Sequence, residues 1–216
     1  MSGTMTPYIV RPGDYLAKLA FVVGFDADEV WNDPKNADLK ALRPDPNILA
    51  PGDILYVPEK KQEEGLPIQK GTDNDYSAPV PKVEVVLVFM SNDQPLANEP
   101  CEVLGLDGAD SSTDGNGKLT LTIPVTTRQV SVHFTGPDVT YDVLVGDMDP
   151  DTEDSGLKKR LANLGLFTRS AERNPNVGED EGLGAILAMF QAARGLESTG
   201  TIDDATRKAL VEAHLL

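Results

Sequence analysis

The spacing of apolar residues changes twice along the chain and predicts three kinds of local structure. Residues 8–58 combine two short strand-like runs, YIV and ILYV, with stripes at helical spacing such as the one from Leu16 to Val23. Residues 83–146 carry short runs that alternate or are wholly apolar, which is typical of strands. From Leu157 onward the i, i+3, i+4, i+7 spacing returns. The pattern predicts a strand–helix–helix–strand unit, then an all-β unit, then a helical unit.

Proline, glycine and charged residues mark the boundaries between these units. The segment 61–81 shows neither the strand nor the helix period, which is typical of a linker. We therefore predict a multidomain α+β fold. Its predicted parts are a small βααβ domain at 1–60, a linker at 61–81, a β-sandwich spacer domain at 82–149 and a three-helix domain at 150–216.

The charge of the chain is uneven. The 216 residues carry a formal net charge of −16, which argues against nucleic acid as a partner. Half of this excess, −8, lies in residues 82–150, whereas residues 1–61 and 151–216 carry only −2 and −3. The acidity is therefore interpreted as solubility and mutual repulsion along the middle unit. The nearly balanced ends remain free to approach a polymer that itself carries carboxylates.

Two strings at opposite ends of the first unit carry a family resemblance. YIVRPGDYLAKLAFVVGF combines a strand, a Gly-Asp turn and a helix, and PNILAPGDILYVP combines a turn and a second strand. Together they resemble the LysM domain over most of residues 8–58. The resemblance implies a small βααβ fold that binds N-acetylglucosamine-containing glycans, peptidoglycan among them, in a shallow groove.

The resemblance places this groove between two loops of the chain. Its ligand-binding residues would be Gly13, Asp14 and Tyr15 on one side and Asn47, Ile48 and Leu49 on the other. Loop backbone groups can hydrogen-bond an N-acetyl group, while an apolar side chain packs on the sugar. Turn and core roles explain the same residues equally well. The chain also departs from the family, because Tyr15 stands where a small hydroxyl residue is usual and the segment 31–46 is long.

The middle unit predicts strands and turns and no catalytic group. The strings QPLANEPCEVL and STDGNGKLTLTIP resemble immunoglobulin-like sandwiches that serve as spacers. Cys101 and His133 both fall within strand-like runs, so they are interpreted as strand residues and not as a nucleophile or a base. Asp114 and Asn116 have the spacing of calcium ligands, but Lys118 breaks the pattern and an ordinary Asp-Gly/Asn-Gly turn is favoured.

The last unit predicts three short amphipathic helices packed on one another. The strings LKKRLANLGLF and AILAMFQAARGLESTGTIDDATRKAL resemble the three-helix peptidoglycan-binding domain over about residues 155–216. The resemblance implies a muropeptide groove at the turns, with Leu196, Thr199, Gly200 and Asp203 as ligand-binding residues. Helix capping and turn geometry explain these four residues without a ligand, so both interpretations stay open.

No motif indicates an enzyme. The two histidines, His133 and His214, have neither a metal-ligand spacing nor a serine or cysteine partner, so we expect no catalytic residue, no metal and no cofactor. Two wall-binding resemblances joined by a β spacer predict a non-catalytic protein that grips peptidoglycan at two points. Each site is expected to bind weakly alone and more strongly when tethered to the other.

Location and partners follow from the same features. The N-terminus has no signal-peptide pattern and no apolar run approaches the ~18 residues of a membrane span, so we expect synthesis in the cytoplasm. Delivery to the periplasm or beyond would then need a secretion or injection machine. The phrase FDADEVWNDPKNADLKALRPDPNILAPGD resembles proteins encoded beside type VI secretion spike genes. The alternative is an adaptor that docks spike, baseplate or cargo effector proteins, with the LysM-like fold reused for protein binding.

Overall fold

The computed structural model has a mixed α+β fold, which confirms the fold class predicted from the pattern. It describes residues 4–59, 68–76, 79–91, 94–106, 110–166 and 179–214. The chain forms two compact units, Met1–Asp147 and Met148–Leu216. The first unit contains both the N-terminal module, residues 4–59, and the β region, residues 79–147. The finer division at residues 60 and 81 stays a prediction, and residues 61–67, 77 and 78 of the predicted linker lie outside the described residues.

The N-terminal module has two antiparallel strands with helices between them. Its elements are β1 (Met5–Ile9), α1 (Leu16–Val23), α2 (Ala27–Trp31), a 3-10 turn (Pro34–Asn36), α3 (Ala37–Leu42) and β2 (Ile54–Pro58). Helix α1 ends at Gly24, which has a φ of 87°, and the Asp26 carboxylate caps α2 by accepting from the Glu29 N–H at 2.9 Å. These are the stop and start signals that the sequence contains.

Helix α3 was not among the predicted elements of the module. It follows a 3-10 turn that begins at Pro34, and the Asp33 side chain caps this turn through the Lys35 N–H at 2.9 Å. Leu39 is the buried residue of α3 and joins the core cluster of the module, together with Trp31. The extra length of segment 31–46 is therefore used for one more helix, which adds to the predicted βααβ order.

The free edges of the β1–β2 pair are protected. Pro7 lies in the middle of β1 and has no N–H to offer to another strand. On β2, the side chain of the fully buried Asn36 replaces a neighbouring strand. Its Oδ1 accepts from the Tyr56 N–H and its Nδ2 donates to the Tyr56 carbonyl, both at 2.8 Å. A two-stranded sheet is thus completed by a side chain.

The β region consists of short antiparallel strands around one core. They are β3 (Lys82–Val88), β4 (Met90–Ser91), β5 (Gln94–Pro95), β6 (Pro100–Leu104), β7 (Asp110–Ser112), β8 (Lys118–Pro124), β9 (Gln129–Phe134) and β10 (Val139–Leu144). One sheet has the order β10-β9-β6-β7, β3 pairs with β8, and β4 pairs with β5. In strands β8 and β9 every second residue is buried and the residues between them are exposed or half-buried, as the sequence pattern predicts. Their inward residues share one apolar cluster with those of β3 and β6.

The second unit contains helices α4 (Asp154–Asn163), α5 (Glu179–Ala193) and α6 (Asp204–His214). Its core includes Leu157 and Leu161 of α4, Leu187 and Phe190 of α5, and Leu210 of α6. Each helix therefore buries residues of the stripe that its spacing predicts, although Ala205 of the predicted third stripe is exposed. Among the described residues, no helix is both long enough and apolar enough to cross a membrane.

Candidate functional site

The two loops that the LysM resemblance pairs lie side by side in the N-terminal module. At the start of α1, the Leu16 N–H donates to the Pro46 carbonyl at 3.1 Å, and the Ala17 N–H donates to Asn47 Oδ1 at 3.3 Å. The second loop therefore satisfies backbone donors that a helix start leaves open. This brings Leu16 and Ala17, which directly follow the first loop, next to Pro46 and Asn47 of the second loop.

Asp14 is engaged in holding the first loop. Its Oδ2 accepts from the Tyr8 hydroxyl at 2.7 Å and from the Arg11 N–H at 3.1 Å, and its Oδ1 lies 3.3 Å from Lys18 Nζ. Lys18 also donates to the Gly13 carbonyl at 2.6 Å. Burial and the hydrogen bond to Asp14 raise the pKa of Tyr8, so the phenol stays protonated as the donor. The carboxylate thus fixes the loop from within.

Tyr15 and Leu49 are buried. Leu49 is 3 % exposed and belongs to the core cluster of the module. Tyr15 is 4 % exposed, and its hydroxyl donates to the Val125 carbonyl of the β region at 2.7 Å. A ligand in the groove would therefore reach neither the Tyr15 ring nor the Leu49 side chain unless the loops rearranged.

Asn47, Ile48 and Gly13 are the predicted groove residues that keep accessible surface. Asn47 is exposed, and Ile48 and Gly13 are half-buried. Hydrogen bonds close the turn that carries Asn47 and Ile48, because Asp45 accepts from the Asn47 N–H through its Oδ1 at 2.8 Å and from the Ile48 N–H through its carbonyl at 3.1 Å. The arrangement offers an amide side chain and an apolar side chain on a fixed turn, which suits contact with an acetamido sugar.

In the second unit, the predicted binding turn is organised by a residue that the sequence reasoning missed. Gln191 of α5 is fully buried. Its Nε2 lies 2.8–3.0 Å from Thr199 Oγ1, the Thr201 carbonyl and Thr206 Oγ1, and its Oε1 accepts from the Gly200 N–H at 2.9 Å. One side chain therefore holds the whole turn between α5 and α6. The available signal was a polar residue inside the apolar stripe of α5, next to Phe190.

The four predicted residues of this turn have structural partners. The Leu196 N–H donates to the Gln191 carbonyl at 2.9 Å and closes the end of α5. Asp203 caps α6 by accepting from the Thr206 N–H at 2.7 Å, and the hydrogen bonds from Thr206 lower the pKa of this carboxyl. Thr199 and Asp203 are nevertheless exposed. A ligand would contact the exposed surface of these two residues, on a turn that the buried Gln191 side chain holds in place.

Other groups that the sequence raised as candidates have ordinary surroundings. Cys101 is 3 % exposed in the β-region core, and burial raises the pKa of its thiol. Asp114 accepts from the N–H groups of Asn116 and Lys118 at 2.8 and 2.9 Å, and these bonds lower the pKa of its carboxyl and close the predicted turn. His133 Nδ1 lies 3.0 Å from Thr140 Oγ1 on the neighbouring strand. In the described part of the chain, no three histidine, cysteine or acidic side chains form a group that could hold a metal ion.

Comparison with known proteins leaves the geometry as the basis for assigning function. No protein-family model, no curated protein and no solved structure matches this chain.

Proposed function

We propose that the protein is a non-catalytic binder of peptidoglycan, contacting N-acetylglucosamine-containing glycan with its N-terminal module and muropeptide with its helical unit. On this proposal the module is LysM-like, the β region is an immunoglobulin-like spacer, and the second unit is a three-helix peptidoglycan-binding domain. The proposal extends to delivery by a type VI secretion or related contractile injection system.

The observation that carries the proposal is the meeting of the two loops in the N-terminal module. Ala17 and Asn47 join them by a hydrogen bond of 3.3 Å, and Asn47, Ile48 and Gly13 of these loops keep accessible surface. Backbone and amide groups next to an apolar side chain can satisfy an acetamido group and pack on its methyl. Because Tyr15 and Leu49 are buried, the contact would be small and the site weak.

The exposed turn of the second unit supplies the second contact. Thr199 and Asp203 offer a hydroxyl and a carboxylate, and Gln191 fixes the turn before any ligand arrives. Preorganised groups of this kind lower the entropy cost of binding. Two weak contacts on one chain raise the effective concentration of the second once the first is made.

The test is retention of the full chain on insoluble peptidoglycan at physiological salt. Ile48→Ala removes apolar contact from the first site, and Asp203→Asn removes charge from the second while keeping an oxygen that caps α6. We expect each change to weaken binding by about fivefold, in line with about 1 kcal/mol per contact.

Matched controls keep the test specific. The first control is Ile9→Ala, at a residue of β1 that is 64 % exposed. The second is Asp204→Asn, at the exposed acidic residue of α6 that directly follows Asp203. Both controls should bind like the parent chain. If the unaltered chain stays in the supernatant, wall binding is wrong. A suspension of peptidoglycan should also keep its turbidity in the presence of the protein, because we propose no hydrolytic activity.

A structural adaptor is the second candidate, and the surface of the N-terminal module favours it. Ile9 and Ile54 form a cross-strand pair that is 64 % and 52 % exposed on the outer face of the sheet. Apolar side chains exposed in a pair are typical of protein contacts. An adaptor for a spike, baseplate or effector protein would not be retained by peptidoglycan, so the same pull-down separates the two candidates.

A further inference from the structure

Tyr15 of the N-terminal module is buried against the β region and does not belong to the core of its own module. Its ring is 4 % exposed, yet it is absent from the apolar core cluster that Leu16, Leu19 and Leu49 help to form. Its hydroxyl donates to the Val125 carbonyl at 2.7 Å, across 110 positions of sequence. The Tyr15 side chain thus extends from its own module to a contact site on the β region, formed by Val125 and Gly146 and called the seat below.

The seat is built from two segments of the β region that are tied together. Val125 follows β8, is fully buried, and donates its own N–H to the Pro81 carbonyl at 2.8 Å. Val145 follows β10 and donates its N–H to the Arg128 carbonyl at 2.8 Å. The acceptor for the Tyr15 hydroxyl therefore belongs to a fixed part of the backbone.

Gly146 is the second residue of the seat and lies next to the Tyr15 ring. A Cβ atom added there would lie 2.6 Å from Cδ1 and 2.9 Å from Cε1 of the Tyr15 ring, and 3.4 Å from the Gly13 carbonyl oxygen. Its φ of 74° also favours glycine. The absence of a side chain at residue 146 lets the aromatic ring and the first groove loop lie directly against the β region.

We propose that Tyr15 is an inter-module lock that fixes the N-terminal module to the β region, so that the two move as one rigid body. A chain connection alone leaves neighbouring domains free to reorient. The lock also holds the loop that carries Gly13, because the adjoining Tyr15 is hydrogen-bonded to the Val125 carbonyl and lies against Gly146. This explains why a large aromatic residue stands where the LysM pattern has a small hydroxyl residue. The proposal concerns the free protein and does not depend on peptidoglycan binding.

The experiment measures the spread of distances between the two parts in the full chain. Spin labels are attached to cysteines introduced at two exposed residues, Asp38 of α3 and Glu84 of β3, with the buried Cys101 replaced by alanine. Tyr15→Ser is the first test variant, since serine is a good residue at the start of a helix and leaves the core of the module intact. Gly146→Ala is the second, because its added methyl group would collide with the Tyr15 ring while the sequence of the module stays unchanged.

The matched control is Gly105→Ala. Gly105 has a φ of 85°, so alanine there is strained in the same way, but no atom lies within 4 Å of the added Cβ. We expect a narrow distance distribution in the parent and the control, and one at least twofold broader in both test variants. Far-UV circular dichroism should show that every variant is folded. A parent distribution as broad as that of Tyr15→Ser, or either test variant as narrow as the parent, would overturn the lock.

Discussion

At the scale of single residues, two buried amide side chains replace backbone partners. Asn36 pairs with the N–H and carbonyl of Tyr56 at the open edge of β2, and Gln191 pairs with the backbone at Gly200 and Thr201. Both side chains are fully buried. A primary amide has donors and an acceptor on one planar group, so it can satisfy the same pair of groups as a peptide. In both places the amide hydrogen-bonds backbone groups that have no neighbouring strand or helix to pair with.

Replacing Gln191 by leucine should destabilise the second unit. The change keeps the volume of the side chain but removes the donor to the buried Thr206 hydroxyl oxygen and the acceptor of the Gly200 N–H, while Thr206 keeps its hydrogen bond to Asp203. We expect a loss of about 2–4 kcal/mol of unfolding free energy, measured by urea denaturation. Gln129→Leu, at an exposed position of β9, is the control and should change stability by less than about 0.5 kcal/mol. Equal effects of the two changes would show that the Gln191 network is not needed.

At the scale of elements, the helix ends follow the sequence closely. Helices α4 and α5 stop in the same way, at Gly165 and Gly195, which have φ values of 73° and 68°. In each case the next N–H bonds back into the last turn, Leu166 to Leu161 and Leu196 to Gln191, both at 2.9 Å. The start of α4 is different, because its Gly156 lies under the backbone of the preceding segment. A Cβ there would be 1.9 Å from the Pro150 carbonyl oxygen.

Alanine at Gly156 should therefore destabilise a helix that it would ordinarily favour. Glycine to alanine inside a helix normally gains up to about 1 kcal/mol. At Gly156 the added methyl collides with backbone atoms of Asp149 and Pro150, so we expect a loss of about 2–3 kcal/mol in thermal or urea unfolding. Gly184→Ala in α5, where the nearest atom is 3.4 Å away, should be neutral or stabilising. A stabilised Gly156→Ala chain would show that this close approach does not exist.

At the scale of the whole molecule, the second compact unit contains a histidine that makes its stability depend on pH. His214, near the end of α6, lies 3.0 Å from Asn163 Nδ2 of α4. Burial lowers the pKa of His214, and the charge of Arg160 lowers it further. The folded second unit therefore favours the neutral imidazole. The stability that this group contributes is present above its ordinary pKa and is lost as the pH falls.

We expect the second unit to unfold more easily at about pH 5 than at pH 7.5, where histidine is neutral in both states. Replacing His214 by glutamine should flatten this part of the pH dependence, because no proton is then taken up on unfolding. Lys208→Gln, at a residue exposed on the same helix, changes the charge without removing the titrating group and should keep the slope. The measurement is the unfolding midpoint across this pH range. An unchanged slope in His214→Gln would exclude this residue as the cause.

The local elements of this protein are determined by short-range pattern. The apolar spacing predicted α1, α4, α5, α6 and the longer strands, since each of these elements buries one face and repeats at its own period. The stops at Gly24 and Gly195 were also predictable, and the sequence offered Asp26 or Asp28 as the cap of α2, of which Asp26 is the one used. Helix α3 and the two- and three-residue strands β4, β5 and β7 were missed, since they are too short to show a period.

Only the tertiary structure determines which residues of the candidate sites remain accessible and which partners their polar groups bind. Tyr15 and Leu49 lie close to Asn47 and Ile48 in the predicted groove, yet the first two are buried and the last two keep accessible surface. Nothing near Tyr15 in sequence indicates that its partner is Val125, and nothing near Gln191 shows that its amide meets Thr206. Sequence pattern determines which face of an element is buried, because that depends on neighbours a few residues away. Which distant backbone group a buried polar side chain meets depends on how the elements pack, because the unpaired donors and acceptors are brought together only then.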